Sequence, residues 1–215
     1  MAVTAKKISV VARAPPLWQT RGMSSKADSW NQRYAEGKTG WDLGEAPPVV
    51  SREAARITEP SKILVPGAGR GHDAAAWARE GHHVTAVDFA PLAVEEGRAL
   101  ARTLGVTMEF LCADVLALPA ALGRVDIVWE QTCLCAIQPE ERRVYLREMH
   151  RVLAPRGQLL ALLWNHGGEG GPPYDMPRAT VEALMDGLFA LESVEEVPDS
   201  PEQRRPEFLY RFRRA

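Results

Sequence analysis

The sequence reads as one doubly wound α/β domain on a mostly parallel sheet. Two observations lead to that class. Short apolar runs alternate with helical stretches from residue 63 onward, the pattern of parallel strands joined by crossover helices. The first run, Ile63-Leu64-Val65, opens directly into a turn holding Gly67, Gly69 and Gly71. A third observation closes the sheet. Near 193–197 and 208–212 the pattern changes, and Phe208, Tyr210 and Phe212 alternate with polar neighbours, as strands of an antiparallel hairpin do.

Each element follows in order. Ile63 to Val65 is a short apolar strand covered on both faces. The glycines after it let the backbone turn sharply and let a ligand approach it. Residues 73–81 have helical composition, with Ala74, Ala75, Ala76, Trp77 and Ala78, and stop at Gly81. Residues 84–87 form a second strand with Asp88 at its carboxyl end and Phe89 behind it. Pro91 suits the first turn of a helix that Gly105 ends. Residues 107–112 form a third strand, closed by Ala113-Asp114-Val115. Residues 125–129 form a fourth, leading to Glu130-Gln131. A helix over 139–153 carries Glu140 and Glu141 in its first turn, and Pro155-Arg156-Gly157 turns the chain into a fifth strand, 158–164. A helix over 178–189 precedes the hairpin, which brings the sheet to seven strands.

Length and composition bound the function. The 215 residues suffice for one domain with a substantial core. A 46% hydrophobic and 25% charged composition is that of a soluble globular protein. A net charge of −2 implies no general attraction to nucleic acid, and no apolar run approaches a membrane span. The cysteines, Cys112, Cys133 and Cys135, are odd in number, and Cys133-x-Cys135 has no second ligand pair. Neither a disulfide framework nor a metal site is expected, and a cytoplasmic setting fits. Residues 1–27 stand apart, with Lys6, Lys7, Arg13 and Arg21, a Pro15-Pro16 pair and no acid before Asp28. A disordered leader is expected there, with translation able to begin at Met23; a transit peptide is the other reading. The domain is then 28–215.

The chemistry lies in the order strand, glycine turn, helix, strand, acid, which builds half of a site for an adenosine-bearing cofactor. Asp88 stands 88 − 67 = 21 residues after Gly67, and a carboxylate there can accept both hydroxyls of a ribose. Nicotinamide dinucleotides and S-adenosylmethionine share that half. A dinucleotide turn wants its third glycine at position 72, which is His72, and Asp73 would meet a pyrophosphate with like charge. A cationic amino acid end tolerates Asp73. Asp114-Val115 can bond the adenine amine and cover its face, although Asp114 also suits a helix cap. Glu130-Gln131 ends the fourth strand at the same crevice.

These motifs together resemble the class I S-adenosylmethionine-dependent methyltransferases. The opening motif matches Val65-Pro66-Gly67-Ala68-Gly69-Arg70-Gly71, the ribose acid Asp88, the adenine motif Asp114-Val115, and the turn before the fifth strand Leu153-Ala154-Pro155-Arg156-Gly157. A narrower resemblance, to the thiopurine S-methyltransferase family and its thiol and halide branch, covers most of residues 30–212. It rests on Trp30 to Trp41 with its Gly37-Lys38-Thr39, on Pro66 to Asp73, on Ala136-Ile137-Gln138-Pro139-Glu140-Glu141-Arg142, and on Gly171-Pro172-Pro173-Tyr174. Gln131 stands where the thiopurine enzymes carry arginine, and the glycine turn also differs from theirs.

The resemblance implies an N-terminal helical lid with Trp30 and Trp41 over the cofactor. Cofactor contacts are expected from Trp30, Trp41, Gly67, Ala68, Gly69, Asp73, Asp88, Phe89, Asp114, Val115, Glu130 and Gln131. Tyr34, Trp41, Cys133 and Tyr174 are the acceptor-pocket candidates, with no certain catalytic group and no metal. The expected activity is methyl transfer from S-adenosylmethionine to a small soft nucleophile (thiol, bisulfide, thiocyanate or halide) by a monomer. An oxygen or nitrogen acceptor is the alternative, and it would need a general base, for which His166 and Glu130 are the candidates. A non-catalytic cofactor-binding module is the third reading.

Overall fold

The computed structural model describes residues 25–215. The sheet has seven strands: β1 (Lys62–Pro66), β2 (His83–Asp88), β3 (Glu109–Cys112), β4 (Val125–Gln131), β5 (Leu153–Trp164), β6 (Phe189–Glu196) and β7 (Glu207–Arg214). Their order is β3-β2-β1-β4-β5-β7-β6. The first five pair in parallel, and β7 lies antiparallel between β5 and β6. Strand order reverses between β1 and β4, so a crevice opens at their carboxyl ends, where open α/β sheets hold ligands. The predicted doubly wound class and the antiparallel close both hold.

The helices are α1 (Ser25–Ala35), α2 (Pro48–Arg56), α3 (His72–Arg79), α4 (Pro91–Leu104), α5 (Arg142–Val152) and α6 (Arg178–Met185). One core lies under α2, α3 and α4 and is built on Val49, Trp77, Val94, Ile127 and Leu160. The other lies under α5 and α6 and is built on Leu146, Met149, Val181, Leu159 and Phe212. Alternate residues of β5 enter opposite cores, Leu160 and Leu162 one and Leu159 and Leu163 the other, as the period of two requires. Phe110 of β3 fixes the glycine turn from below. A Cβ at Gly71 would stand 2.6 Å from its ring, and one at Gly97 in α4 would stand 2.4 Å away.

Several boundaries differ from the expectation. The helix expected over 139–153 begins as a 3-10 turn, Pro139–Glu141, and becomes α-helical at Arg142. β5 starts at Leu153 rather than 158, and the turn expected at 155–157 is a kink within it, with Arg156 at φ 67. α6 ends at Met185, and Phe189 already belongs to β6. α2 was not anticipated; Pro48 starts it and only one face, Val49, Val50, Glu53 and Ala54, is buried. Of the leader expected over 1–27, residues 1–24 lie outside the described residues, and Ser25 to Ala27 belong to α1. Among the described residues no helix is long and apolar enough to cross a membrane.

Candidate active site

The turn after β1 is held open by three left-handed glycines, Gly67 at φ 58, Gly69 at φ 54 and Gly71 at φ 77. A side chain at any of them would be strained, and at Gly67 it would also meet the Cys133 Sγ at 2.7 Å. Asp88 locks the turn to β2. Its carboxylate accepts from the Gly69 N–H at 2.9 Å and from the Ala90 N–H at 2.8 Å. Asp88 is buried, which raises its pKa, while these backbone donors pull it back down. Each of the two oxygens thus holds one backbone donor, and a carboxylate oxygen has a second lone pair to offer.

The lid packs over this turn. Trp30, Tyr34 and Trp41 form one aromatic cluster against Ala90 and Ala93 of α4. Trp30 and Trp41 meet edge-on at 5.0 Å, and Tyr34 and Trp41 at 5.7 Å. Asn31 accepts from the Leu92 N–H at 2.9 Å and so docks α1 on the start of α4. The Tyr34 hydroxyl lies 2.8 Å from where a Gly69 Cβ would stand. Burial there, beside Asp88, raises the Tyr34 pKa.

Between lid and turn lies a cavity of about 530 Å³, open mouth included, lined by Trp41, Asp42, Gly67 to Arg70, His72, Asp73, Gln131, Thr132 and Arg204. Asp73 accepts from the Trp129 indole N–H at 2.9 Å, and burial pushes its carboxyl up to about 6. With the Gln131 amide turned to suit its neighbours, its nitrogen donates to Asp73 and its oxygen accepts from Arg204 Nη1 at 2.8 Å. Arg204 also donates to the Trp41 carbonyl. The cavity therefore presents acids and a cation side by side. That set suits the ammonium and carboxylate of a methionine end, and Asp88, the expected ribose acid, is bonded to the same turn. The residues present fit S-adenosylmethionine.

Other expected residues are placed differently. Glu130 is buried and faces away from the cavity: it accepts from the Cys133 N–H at 3.1 Å, the Leu134 N–H at 2.7 Å and the Tyr145 hydroxyl. It pins the segment after β4, and burial pushes its carboxyl up to about 7. Cys133 backs Gly67 rather than lining a pocket, and burial raises its pKa strongly. Asp114 is exposed, and its side chain accepts from the Leu116 N–H at 2.8 Å; this closes a turn, and no helix begins there for it to cap. Phe89 and Val115 are half-buried near it at the ends of β2 and β3. Thr132, at φ 60, makes the tight turn out of β4.

The loop after β5 packs on the segment that follows β4 and is not among the residues that line the cavity. The Tyr174 N–H donates to the Cys135 carbonyl at 2.8 Å, and its hydroxyl donates to Gln138 Oε1 at 2.6 Å. Arg142 lies with its guanidinium 4.9 Å from the Tyr174 ring centroid. It is 5% exposed, its Nε donates to the Ile137 carbonyl at 3.2 Å, and its Nη2 has no hydrogen-bond partner. Burial lowers its pKa. Cys135 lies within reach of both Arg204 and Arg142, each lowering a thiol pKa that burial pushes up to about 12. Arg142 and Arg204 escaped the sequence reading as site residues. Arg142 sat inside a quoted motif, and Arg204 comes from a polar stretch with no motif.

The comparisons with known proteins agree with this geometry. The family model described as thiopurine S-methyltransferase matches residues 25–209. The thiocyanate methyltransferase 1 of Brassica oleracea is 32% identical over 187 residues, which is 82% of this chain and 80% of that one. An Arabidopsis thaliana protein named "Probable thiol methyltransferase 2" is 30% identical over 75% of this chain and 73% of its own. A structure from a study of disulfide-to-thioacetal conversion in echinomycin biosynthesis superposes with a TM-score of 0.74 at 22% identity, covering 88% of this chain and 93% of that one, which speaks to the fold. A match running from the lid helix to the last strand, over a cavity suited to a sulfonium amino acid, makes this chain a member of the thiopurine S-methyltransferase family.

Proposed function

We propose that this chain transfers the methyl group of S-adenosylmethionine to a small, soft, anionic nucleophile: a thiolate, bisulfide, thiocyanate or halide. The observation that carries the acceptor class is Arg142, a buried guanidinium with an unpartnered nitrogen and no ion pair among the described residues. A buried charge left unpaired is unfavourable, and an anionic acceptor against the Tyr174 wall would complete it. The names of the thiocyanate and thiol relatives support the same class.

When bound, the cofactor supplies a methyl group on a positively charged sulfur. The chain's own residues orient and dry the site. Asp88 and the glycine turn receive the ribose, the acids and Arg204 receive the amino acid end, and the three lid aromatics exclude water. Bringing an anion and a cation together in a dry site favours a displacement that makes neutral products, and alignment alone can contribute roughly 7–11 kcal/mol.

Neither general-base candidate is free to act. The Gly168 N–H donates to His166 Nδ1 at 3.0 Å, so the neutral ring carries its proton on Nε2. Glu130 is committed to the Cys133 and Leu134 amides and the Tyr145 hydroxyl. An acceptor that is already an anion needs no base, which favours the soft-nucleophile reading over oxygen and nitrogen acceptors.

The test is incubation with S-adenosylmethionine and a panel of iodide, bisulfide, thiocyanate, an aryl thiol and a catechol, with S-adenosylhomocysteine as the readout. Turnover is expected with the soft anions and thiols. Turnover confined to the catechol would overturn the acceptor class, and binding without turnover on any acceptor would favour a non-catalytic module. We also read the chain as a cytoplasmic monomer. Its three unpaired cysteines, and the fact that Val144 and Leu191 are the exposed large hydrophobics among the described residues, support that reading. A dimer mass in sedimentation velocity would refute the monomer.

A further inference from the structure

We infer that Arg70 is the residue that couples the lid to the glycine turn: an ordered turn aims its side chain, and that side chain holds the lid closed. The inference rests on the reading of the turn as the cofactor site. Arg70 stands between two left-handed glycines whose backbone is fixed by the Gly69 N–H on Asp88 and by the Gly71 N–H on the Ala68 carbonyl at 2.8 Å. The turn itself needs no side chain at that position. The long side chain runs back across the lid instead. Nη1 donates to Thr39 Oγ1 at 3.0 Å and to Asp42 Oδ2 at 2.5 Å, and Nε donates to Glu96 Oε2 on α4 at 2.7 Å. The guanidinium also stacks 5.4 Å from the Tyr34 ring centroid.

An isolated surface ion pair would be worth little. This one joins the lid, the turn and α4, and its partner Asp42 is nearly buried, with a side chain 9% exposed. Asp42 is further held by His72 Nε2 at 3.2 Å and by the Gly44 N–H at 2.9 Å. The aromatic cluster beneath the lid is non-directional and sets no register. Charge-assisted hydrogen bonds from one planar fork do. Losing them would lower the population of closed lid, and the apparent affinity for cofactor falls in proportion to that population.

The experiment uses the full chain with Arg70→Ala, Arg70→Lys, Asp42→Asn, the Arg70→Ala/Asp42→Asn double variant and Thr39→Val. Calorimetry reads S-adenosylhomocysteine affinity, and trypsin cleavage after the exposed Lys38 reads lid closure. Arg70→Ala is expected to weaken binding about tenfold or more and to leave Lys38 cleavable at saturating ligand, where the wild type is protected. Arg70→Lys should fall between the two. The double variant should be little worse than Arg70→Ala, because both changes break one network. Wild-type affinity in Arg70→Ala, full protection of Lys38 despite weak binding, or fully additive effects would each overturn the inference. If Arg70→Ala does not fold, Thr39→Val reads the same lid contact from outside the sheet, and wild-type affinity and protection there would overturn it as well. An Asp88→Ala protein that binds normally would instead refute the cofactor reading, since Asp88 is the proposed ribose acceptor and takes no part in the side-chain bonds of Arg70 to the lid.

Discussion

On the β1–β2 side of the crevice the site is made of main chain: three positive-φ glycines, two strand ends, and one acid bonded to two backbone amides. On the β4–β5 side the proposed site is made of side chains gathered from far apart: Arg204, from the segment before β7, lines the cavity, and Arg142, from the start of α5, and Tyr174, from the loop after β5, form the proposed acceptor wall. The first side fixes a shape that one cofactor fills. The second places charge and aromatic surface, which can be exchanged residue by residue without disturbing the sheet. A family that keeps its methyl donor and varies its acceptor would be expected to divide its site in this way.

The largest effect should come from breaking the main-chain side. Asp88→Ala removes the proposed ribose acceptor and leaves two amide donors without their partner, each worth about 1–3 kcal/mol. Calorimetry should show cofactor affinity falling on the order of 100-fold or more; an unchanged dissociation constant would mean the ribose lies elsewhere. The side-chain half should break differently. Arg142→Met keeps much of the apolar stem and removes the charge, so the KM for an anionic acceptor should rise roughly tenfold while calorimetric cofactor affinity stays at the wild-type value. Equal losses in both would show that the two halves are not separable.

The smallest effect concerns Glu207, which is buried behind Arg204 with one oxygen unpartnered. Burial pushes its carboxyl from 4.5 up to about 7. Below the unfolded value it is neutral in both states and imposes no penalty. As pH rises from 4.5 through 7 the unfolded state ionises first, so stability is progressively lost. Glu130, at about 7, and Asp73, at about 6, act in the same direction. Glu207→Gln should therefore shrink, without abolishing, the fall in Tm between pH 5 and pH 8, by a few degrees at about 2–4 °C per kcal/mol. An identical fall in the variant would contradict this account.

The same division explains what could be read from the chain. The first strand–turn–helix–strand unit, with its glycine turn and Asp88, was legible because it is local: spacing and hydrophobic period specify it within residues 63–89. Glu130 was misread as facing the crevice because position at a strand end does not reveal which way a side chain turns. Only the fold shows that the amides of Cys133 and Leu134 and the Tyr145 hydroxyl claim it. Cys133 was open to two readings, a pocket residue or a small buried cysteine; it is buried against Gly67, a partner far away in sequence. Arg204 carried no signal, because the Arg204-Arg205 pair within the polar stretch 201–206 has no periodicity, and the partners of Arg204, Trp41 and Gln131, come from the other end and the middle of the chain.

The bond from Arg204 to the Trp41 carbonyl has a mechanical meaning. With Arg70 gripping Thr39 and Asp42 from the turn after β1, one short stretch of the lid, residues 39–42, is clamped from both sides of the crevice like a hasp.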